Sequence, residues 1–346
     1  MQQKINEEER NKKMEMMGAA GQRELKRNSL IDGVSKFTKN YAIVLAILAL
    51  IVIFSVASEY FLTYNNVRNI LQQTSSLAIV AIGQAFIILT GEFDLSLGQN
   101  VCVTSCLMAW LMKTAGLNPW LSIVLGLGLG VAVGLGNGIL IAYAKIPCFV
   151  VTLGFQMICK GLAKIITNAA PIPSMPSEIS FFGRGYVGGE EFGIPISVVI
   201  MIALYAFFIF VSLRTKFGRS VFAIGGGAEA SYFAGINVKK YRLFVYMLAG
   251  GLSAFGGLIL LTRLDSAAVT NGNLYEFDTI IASVIGGVSL AGGKGKIIQA
   301  LLGAIFLTLF FNGMTMLNVN PFVQDVLKGI VLIGAVAIDV IRNRRK

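Results

Sequence analysis

The chain has no histidine among its 346 residues, so it lacks the side chain most often used as a general base or metal ligand near neutral pH. Its four cysteines, Cys102, Cys106, Cys148 and Cys159, show no CxxC spacing and all fall in apolar runs, where a free thiol packs as a small hydrophobe. Metal and triad chemistry are therefore poor readings, and no cofactor or metal is expected on this chain. Charge is also scarce: Asp, Glu, Lys and Arg make up 14% of the residues, against 55% hydrophobic ones and a mean hydropathy of +0.73. A single soluble core cannot hide that much apolar surface, but lipid absorbs it. The strict polar/apolar alternation of a membrane barrel is missing too.

What is present is a series of apolar runs of the length a helix needs to cross a bilayer. They lie near residues 41–58, 75–91, 96–113, 119–143, 148–168, 195–213, 241–262, 278–291, 297–316 and 322–341. The expected fold class is an all-α integral membrane protein of about ten transmembrane helices. The first run stands behind a long polar segment rich in Lys, Arg and Glu, so it reads as a retained span rather than a cleaved signal. The expected organisation is a cytoplasmic tail at residues 1–40, a transmembrane domain at 41–341 and a basic tail at 342–346.

The net charge of +11 does not point to nucleic acid, because the basic residues flank the spans. With the N-terminus cytoplasmic, 22 of the 29 Lys and Arg residues fall inside, against Arg68, Lys113, Arg184 and Arg263 outside. That bias places both termini in the cytoplasm and requires an even number of spans.

Gly126, Gly130, Gly134 and Gly138 recur every four residues, leaving one helix face almost bare for a close neighbour. A faint internal echo is also present: Asn137-Gly138, Pro147, Phe149-Val150 and Lys160-Gly161 are answered by Asn312-Gly313, Pro321-Phe322-Val323 and Lys328-Gly329. The two prolyl turns fall on opposite sides of the membrane, so the halves would form an inverted repeat, an arrangement that places a pathway between halves in transporters.

Two carboxylates, Glu92 and Asp94, stand between apolar runs with no long loop to hold them. A carboxylate at membrane depth needs water or a partner. Either Asp94 caps the following helix, with Ser96 in its first turn, or this break borders a substrate path. Acting together as an acid/base pair is disfavoured, because a spacing of two residues sets them about 200° apart around a helix. Asn137, Thr152, Gln156 and Asn312 are further intramembrane polar side chains, suited to a hydroxylated solute or simply to a neighbouring helix. Asp278 reads as a helix N-cap.

The longest internal cytoplasmic segment, Arg214 to Lys240, has glycines on both sides of a short Ala/aromatic stretch. This pattern predicts a single short helix across the membrane face, with Tyr232 and Phe233 available to a soluble partner or to lipid headgroups. The run Gly287 to Gly295 looks like a phosphate loop, but Lys294 comes one place late with no Ser or Thr after it, so this chain is not expected to bind ATP.

Several of these stretches resemble one known family. GEFDLSLG (Gly91 to Gly98), KIPCFVVTLG (Lys145 to Gly154), FGRSVFAIGGGAEASYFAGINVK (Phe217 to Lys239) and DTIIASVIGGVSLAGGKG (Asp278 to Gly295), with Asn312-Gly313 and Pro321 to Gly329, are similar to the permease subunits of bacterial ABC importers for monosaccharides, the ribose permease-like family. Glu92, Phe93 and Gln99 depart from the family's usual residues. The resemblance covers roughly residues 60–340.

It implies a non-enzymatic transport subunit of the bacterial plasma membrane that pairs with a second permease copy, two cytoplasmic ATP-binding subunits carrying ATP and Mg, and an external sugar-binding protein. The expected cargo is a monosaccharide or related small polyol, and an ion-coupled secondary transporter is the alternative. Gly227, Glu229-Ala230-Ser231, Tyr232, Phe233 and Gly235 resemble the EAA-type coupling motif, although Met247-Leu248 stands where the wider superfamily has Leu-Pro. The substrate pathway is expected at Asp94, Ser96, Asn137, Phe149, Thr152, Gln156 and Asn312.

Overall fold

The computed structural model describes residues 42–189 and 193–344, so the tail expected at residues 1–40 and the last two residues of the basic tail lie outside the described residues. The chain divides into two units, residues 1–49 and 50–346. In chain order the elements are α1 (Ala42–Ala57), α2 (Tyr64–Leu89), α3 (Leu97–Lys113), α4 (Pro119–Ala142), α5 (Cys148–Thr167), β1 (Ile172–Pro173), α6 (Ser177–Arg184), β2 (Tyr186–Val187), β3 (Ile194–Pro195), α7 (Ile196–Arg214), α8 (Lys216–Gly226), α9 (Ala228–Phe233), α10 (Val238–Leu264), β4 (Ser266–Ala267), α11 (Tyr275–Gly286), α12 (Ile297–Met316) and α13 (Pro321–Arg344). Each apolar run of the sequence contains a helix. Among the described residues seven helices, α2, α4, α5, α7, α10, α12 and α13, are long and apolar enough to cross a membrane, whereas α1, α3 and α11 are shorter.

The helix ends follow local rules. Asn118 caps α4 by accepting from the amides of Trp120 and Leu121 at 2.9 and 3.4 Å, with Pro119 in the first helical position. Asn237 caps α10 in the same way, accepting from the Lys240 amide at 3.1 Å. At the other end of α5, Asn168 takes the left-handed conformation that commonly stops a helix.

Two spans differ from their expected bounds. The second helix starts at Tyr64 rather than near residue 75, because its polar first turns find partners: Asn66 donates to Asn312 Oδ1 at 2.9 Å, and Gln72 donates to the Tyr186 hydroxyl at 3.2 Å. Arg68 is therefore a helical residue, its guanidinium 3.7 Å from the centre of the Tyr186 ring. The eighth run ends as a helix at Gly286, where Gly287 turns left-handed, so residues 287–291 form a loop. Asp278 does not cap α11. Leu274 holds that position, and Asp278 lies one turn inside, where its Oδ2 is 3.0 Å from Lys328 Nζ.

The core of the larger unit is α2, buried without interruption from Thr74 to Leu89, with α10, α11, α12 and α7 packed against it. The glycine face of α4 meets α10 as its spacing predicts. A Cβ on Gly134 would collide with the Tyr246 carbonyl, and one on Gly130 with the Gly250 carbonyl and Ala254. Close backbone approach of this kind substitutes for a hydrophobic drive between helices in lipid. By contrast α13 buries little beyond Ala335. Two short antiparallel ribbons, β1 with β4 and β2 with β3, join the connections around α6.

Candidate functional site

A buried polar cluster forms where the chain breaks between α2 and α3. The first helix ends on Gly91, whose φ of +83° lets its amide reach the Ile88 carbonyl at 2.9 Å. Asp94 then turns inward. Its Oδ1 accepts from the Ser96 amide at 2.7 Å and from Ser96 Oγ at 2.6 Å. From α4, Asn137 Nδ2 donates to Ser96 Oγ at 2.8 Å and to Asp94 Oδ2 at 3.3 Å. Asp94 is thus bound in a local turn rather than capping α3, where Ser96 itself holds the cap position. These three side chains are at most 1% exposed, so their hydrogen bonds are what makes the burial tolerable.

Next to this cluster, the short helices α3 and α11 bring their N-terminal ends together. Gly98, in the first turn of α3, has no room for a Cβ because Glu276 Oε2 and the Gly272 carbonyl occupy that space. Glu276 is 2% exposed and accepts from Gln156 Nε2 of α5 at 2.7 Å. A helix N-terminus presents unpaired N–H groups and a positive dipole end, which favours carboxylates nearby. Broken helices of this kind are tolerated at membrane depth only where protein or a cavity satisfies them.

The other expected pathway residues do not join the cluster. Thr152 is buried but donates to the Cys148 carbonyl of its own helix at 2.8 Å. Phe149 is 51% exposed on α5. Asn312 forms a reciprocal amide pair with Asn66, at 2.9 and 3.0 Å, where the end of α12 meets the start of α2.

Around Gly227 the structure has two helices where the sequence predicts one. Buried Val221 and Ile224 anchor α8, Gly227 breaks the chain, and α9 follows over Ala228–Phe233. The Gly235 amide closes the end of α9 on the Tyr232 carbonyl at 2.9 Å, with φ +84°. In α9 Ser231 faces the protein at 5% exposure, whereas Tyr232 and Phe233 are 68% and 79% exposed, their rings 5.9 Å apart. Glu229 and Tyr232 line a cleft of about 730 Å³ together with Lys145, Lys239, Glu92 and Arg242. Inside it, Arg242 Nε lies 3.1 Å from Glu92 Oε1, linking the α2–α3 break to the second turn of α10.

Three glycine-rich stretches meet behind α9. A Cβ on Gly225 would strike the Leu89 carbonyl and the Gly293 amide, and that amide donates to the same carbonyl at 3.0 Å. Gly292, at φ +81°, packs against Gly91 and the Gly225 carbonyl. The loop that looks like a phosphate binder is therefore occupied in joining the ends of α2 and α8.

Comparison with known proteins places this architecture. Residues 66–336 match the family described as branched-chain amino acid transport system / permease component. The chain belongs to this permease family. The ribose import permease protein RbsC of Bacillus subtilis (strain 168) is 40% identical over 85% of this chain and 91% of its own length. The probable ABC transporter permease protein YphD of Escherichia coli (strain K12) is 37% identical over 92% and 94%, and the galactose/methyl galactoside import permease protein MglC of the same strain is 34% identical over 88% and 94%. No solved structure matches the chain significantly. As a member of this permease family the chain is a multi-pass membrane protein and a transport subunit rather than an enzyme, as the sequence indicates.

Sequence reasoning missed three features of the permease. Glu276 is hidden because a lone Glu before Asp278 looks like loop, Arg242 because it looks like a flanking charge, and the glycine junction because its members are far apart in the chain. Gly91 and Gly225-Gly226-Gly227 sit at the ends of α2 and α8, whereas Gly292-Gly293 lie in the loop between α11 and α12.

Proposed function

We propose that this chain is the membrane-spanning permease subunit of an ATP-binding-cassette importer, and that with a second copy it forms the path of a monosaccharide or related small polyol. The observation that carries this reading is α9: a six-residue helix held between Gly227 and Gly235, offering two exposed aromatic rings beside an acidic residue. An aromatic pair projecting from a rigid support is the kind of anchor that fills a partner's pocket. In this reading Gly227, Glu229, Ala230, Ser231, Tyr232, Phe233 and Gly235 form the lever gripped by a cytoplasmic ATP-binding subunit, which carries the ATP and Mg. The relatives named for ribose and galactose import support the sugar class, and an external sugar-binding protein would supply the cargo.

The proposal extends to topology. Ten helices in the bilayer, with both termini cytoplasmic, agree with the basic residues clustered around α8 and α9. The packing pattern supports an inverted repeat: α4 lies on α10 as α12 lies on α2, and α5 lies on α3 as α13 lies on α11. The pathway in this reading passes the Asp94, Ser96, Asn137 and Gln156 cluster, with Phe149, Thr152 and Asn312 along its course. Uptake by the assembled complex in proteoliposomes tests the reading. It should continue with ATP inside when proton and sodium gradients are abolished and stop without ATP. The reverse result would assign the chain to ion-coupled transport.

A further inference from the structure

A second polar cavity, of about 280 Å³, opens between the middle of α2, the end of α10, the beginnings of α11 and α13 and the second half of α12. It lies at the far end of the protein from α9. Helix α10 carries Arg242 at the cleft beside α9 and Arg263 at this cavity, and 21 residues at ~1.5 Å rise set the two about 30 Å apart, one hydrocarbon thickness.

The cavity has four charged side chains, Arg263, Asp278, Asp325 and Lys328, whose charges cancel. It therefore suits a neutral ligand better than an ion. At its heart Lys328 Nζ is 3.0 Å from Asp278 Oδ2, while Asp278 Oδ1 is buried with no hydrogen-bond partner although the residue is 6% exposed. An unpaired buried acceptor is unfavourable, and a hydroxyl donor arriving there removes that penalty. Arg263, held by Asn69 at 2.9 Å, and Gln73 add donors on the facing wall. The Tyr275 and Phe311 side chains supply apolar surface. The space is large enough for one sugar ring.

We propose that this cavity is an outer binding site for a single neutral sugar, with Asp278 Oδ1 accepting from one ring hydroxyl and Lys328 donating to its neighbour. The inference rests on the permease reading above for its ligand class, but its geometry is independent of the ATP-coupled lever.

The test uses the assembled complex of permease, ATP-binding subunit and binding protein. The four native cysteines are replaced and a single reporter thiol is placed in the lining by Gln324→Cys, which keeps the charge balance of the cavity. Labelling by a membrane-impermeant maleimide is timed with D-ribose, D-galactose or myo-inositol, while ATP hydrolysis in response to loaded binding protein is measured on the same preparation. A bound sugar at ten times its dissociation constant should slow labelling about tenfold. The protection should vanish in both Asp278→Asn and Lys328→Gln, with size-exclusion recovery of the assembled complex equal to the parent's. Labelling that ignores all three sugars in a preparation that hydrolyses ATP normally overturns the site and leaves the permease reading standing. Protection without stimulated hydrolysis supports the site and counts against the ATP-driven reading instead.

Discussion

Arg242 Nε and Glu92 Oε1 are 3.1 Å apart, and the pair is the one ion bridge between α10 and the break that follows α2 among the described residues. Their side chains are 26% and 11% exposed, so neither charge is fully solvated. Replacing Arg242 by Ala takes away the ion-pair partner of Glu92, and partners of largely buried pairs typically lose about 3 kcal/mol when one is removed. The expected result is a clear drop in the thermal transition of the purified permease, with Glu92→Gln plus Arg242→Gln closer to the parent than Arg242→Ala alone. Equal transitions for all three proteins would show that the pair holds nothing.

Gly225 and Gly226 are neighbours with opposite prospects. A Cβ at Gly225 meets the Leu89 carbonyl and the Gly293 amide, whereas one at Gly226 meets nothing within 4 Å. Overpacking against backbone costs about 1–3 kcal/mol or more, since backbone has little freedom to yield. Gly225→Ala should therefore lower the folded yield and the coupled activity, and Gly226→Ala should leave the yield unchanged. The comparison is read by size-exclusion recovery of the two variants.

The same logic applies inside the membrane. Gly134 faces the Tyr246 carbonyl, while Gly128, on the same helix, faces open space. Leucine at residue 134 should separate α4 from α10 and destabilise the fold by about 2 kcal/mol or more, and leucine at residue 128 should be accepted on the lipid side. Thermal unfolding in detergent distinguishes them.

These contrasts show what the sequence makes legible. Spans such as α4 and α12 are plain in it because lipid demands about 20 apolar residues from each, and the every-fourth-glycine face of α4 announces its close neighbour. The early start of α2 is hidden, because Asn66, Arg68 and Gln72 look like loop until Asn312 and Tyr186 are brought beside them. Asp94 is visible as an intramembrane acid, but whether it caps α3 or bonds Ser96 and Asn137 depends on where α4 lies. The meeting of Gly98 with Glu276 is a contact between residues far apart in the chain, and no local periodicity records it. Likewise α6 and the short ribbons have too few residues to leave a pattern.

In the proposed importer, α9 transmits force from a nucleotide-driven partner. Phe233 is 79% exposed, so its truncation should barely affect stability, within about 0.5 kcal/mol. An aromatic anchor removed from a partner's pocket nevertheless loses ~2 kcal/mol or more of contact. The most direct measurement is the number of sugar molecules imported per ATP hydrolysed by the reconstituted complex carrying Phe233→Ala or Glu229→Lys. This ratio should fall about tenfold in each while expression and thermal stability hold, since ~1.4 kcal/mol already corresponds to a factor of ten. An unchanged ratio in both variants would contradict it.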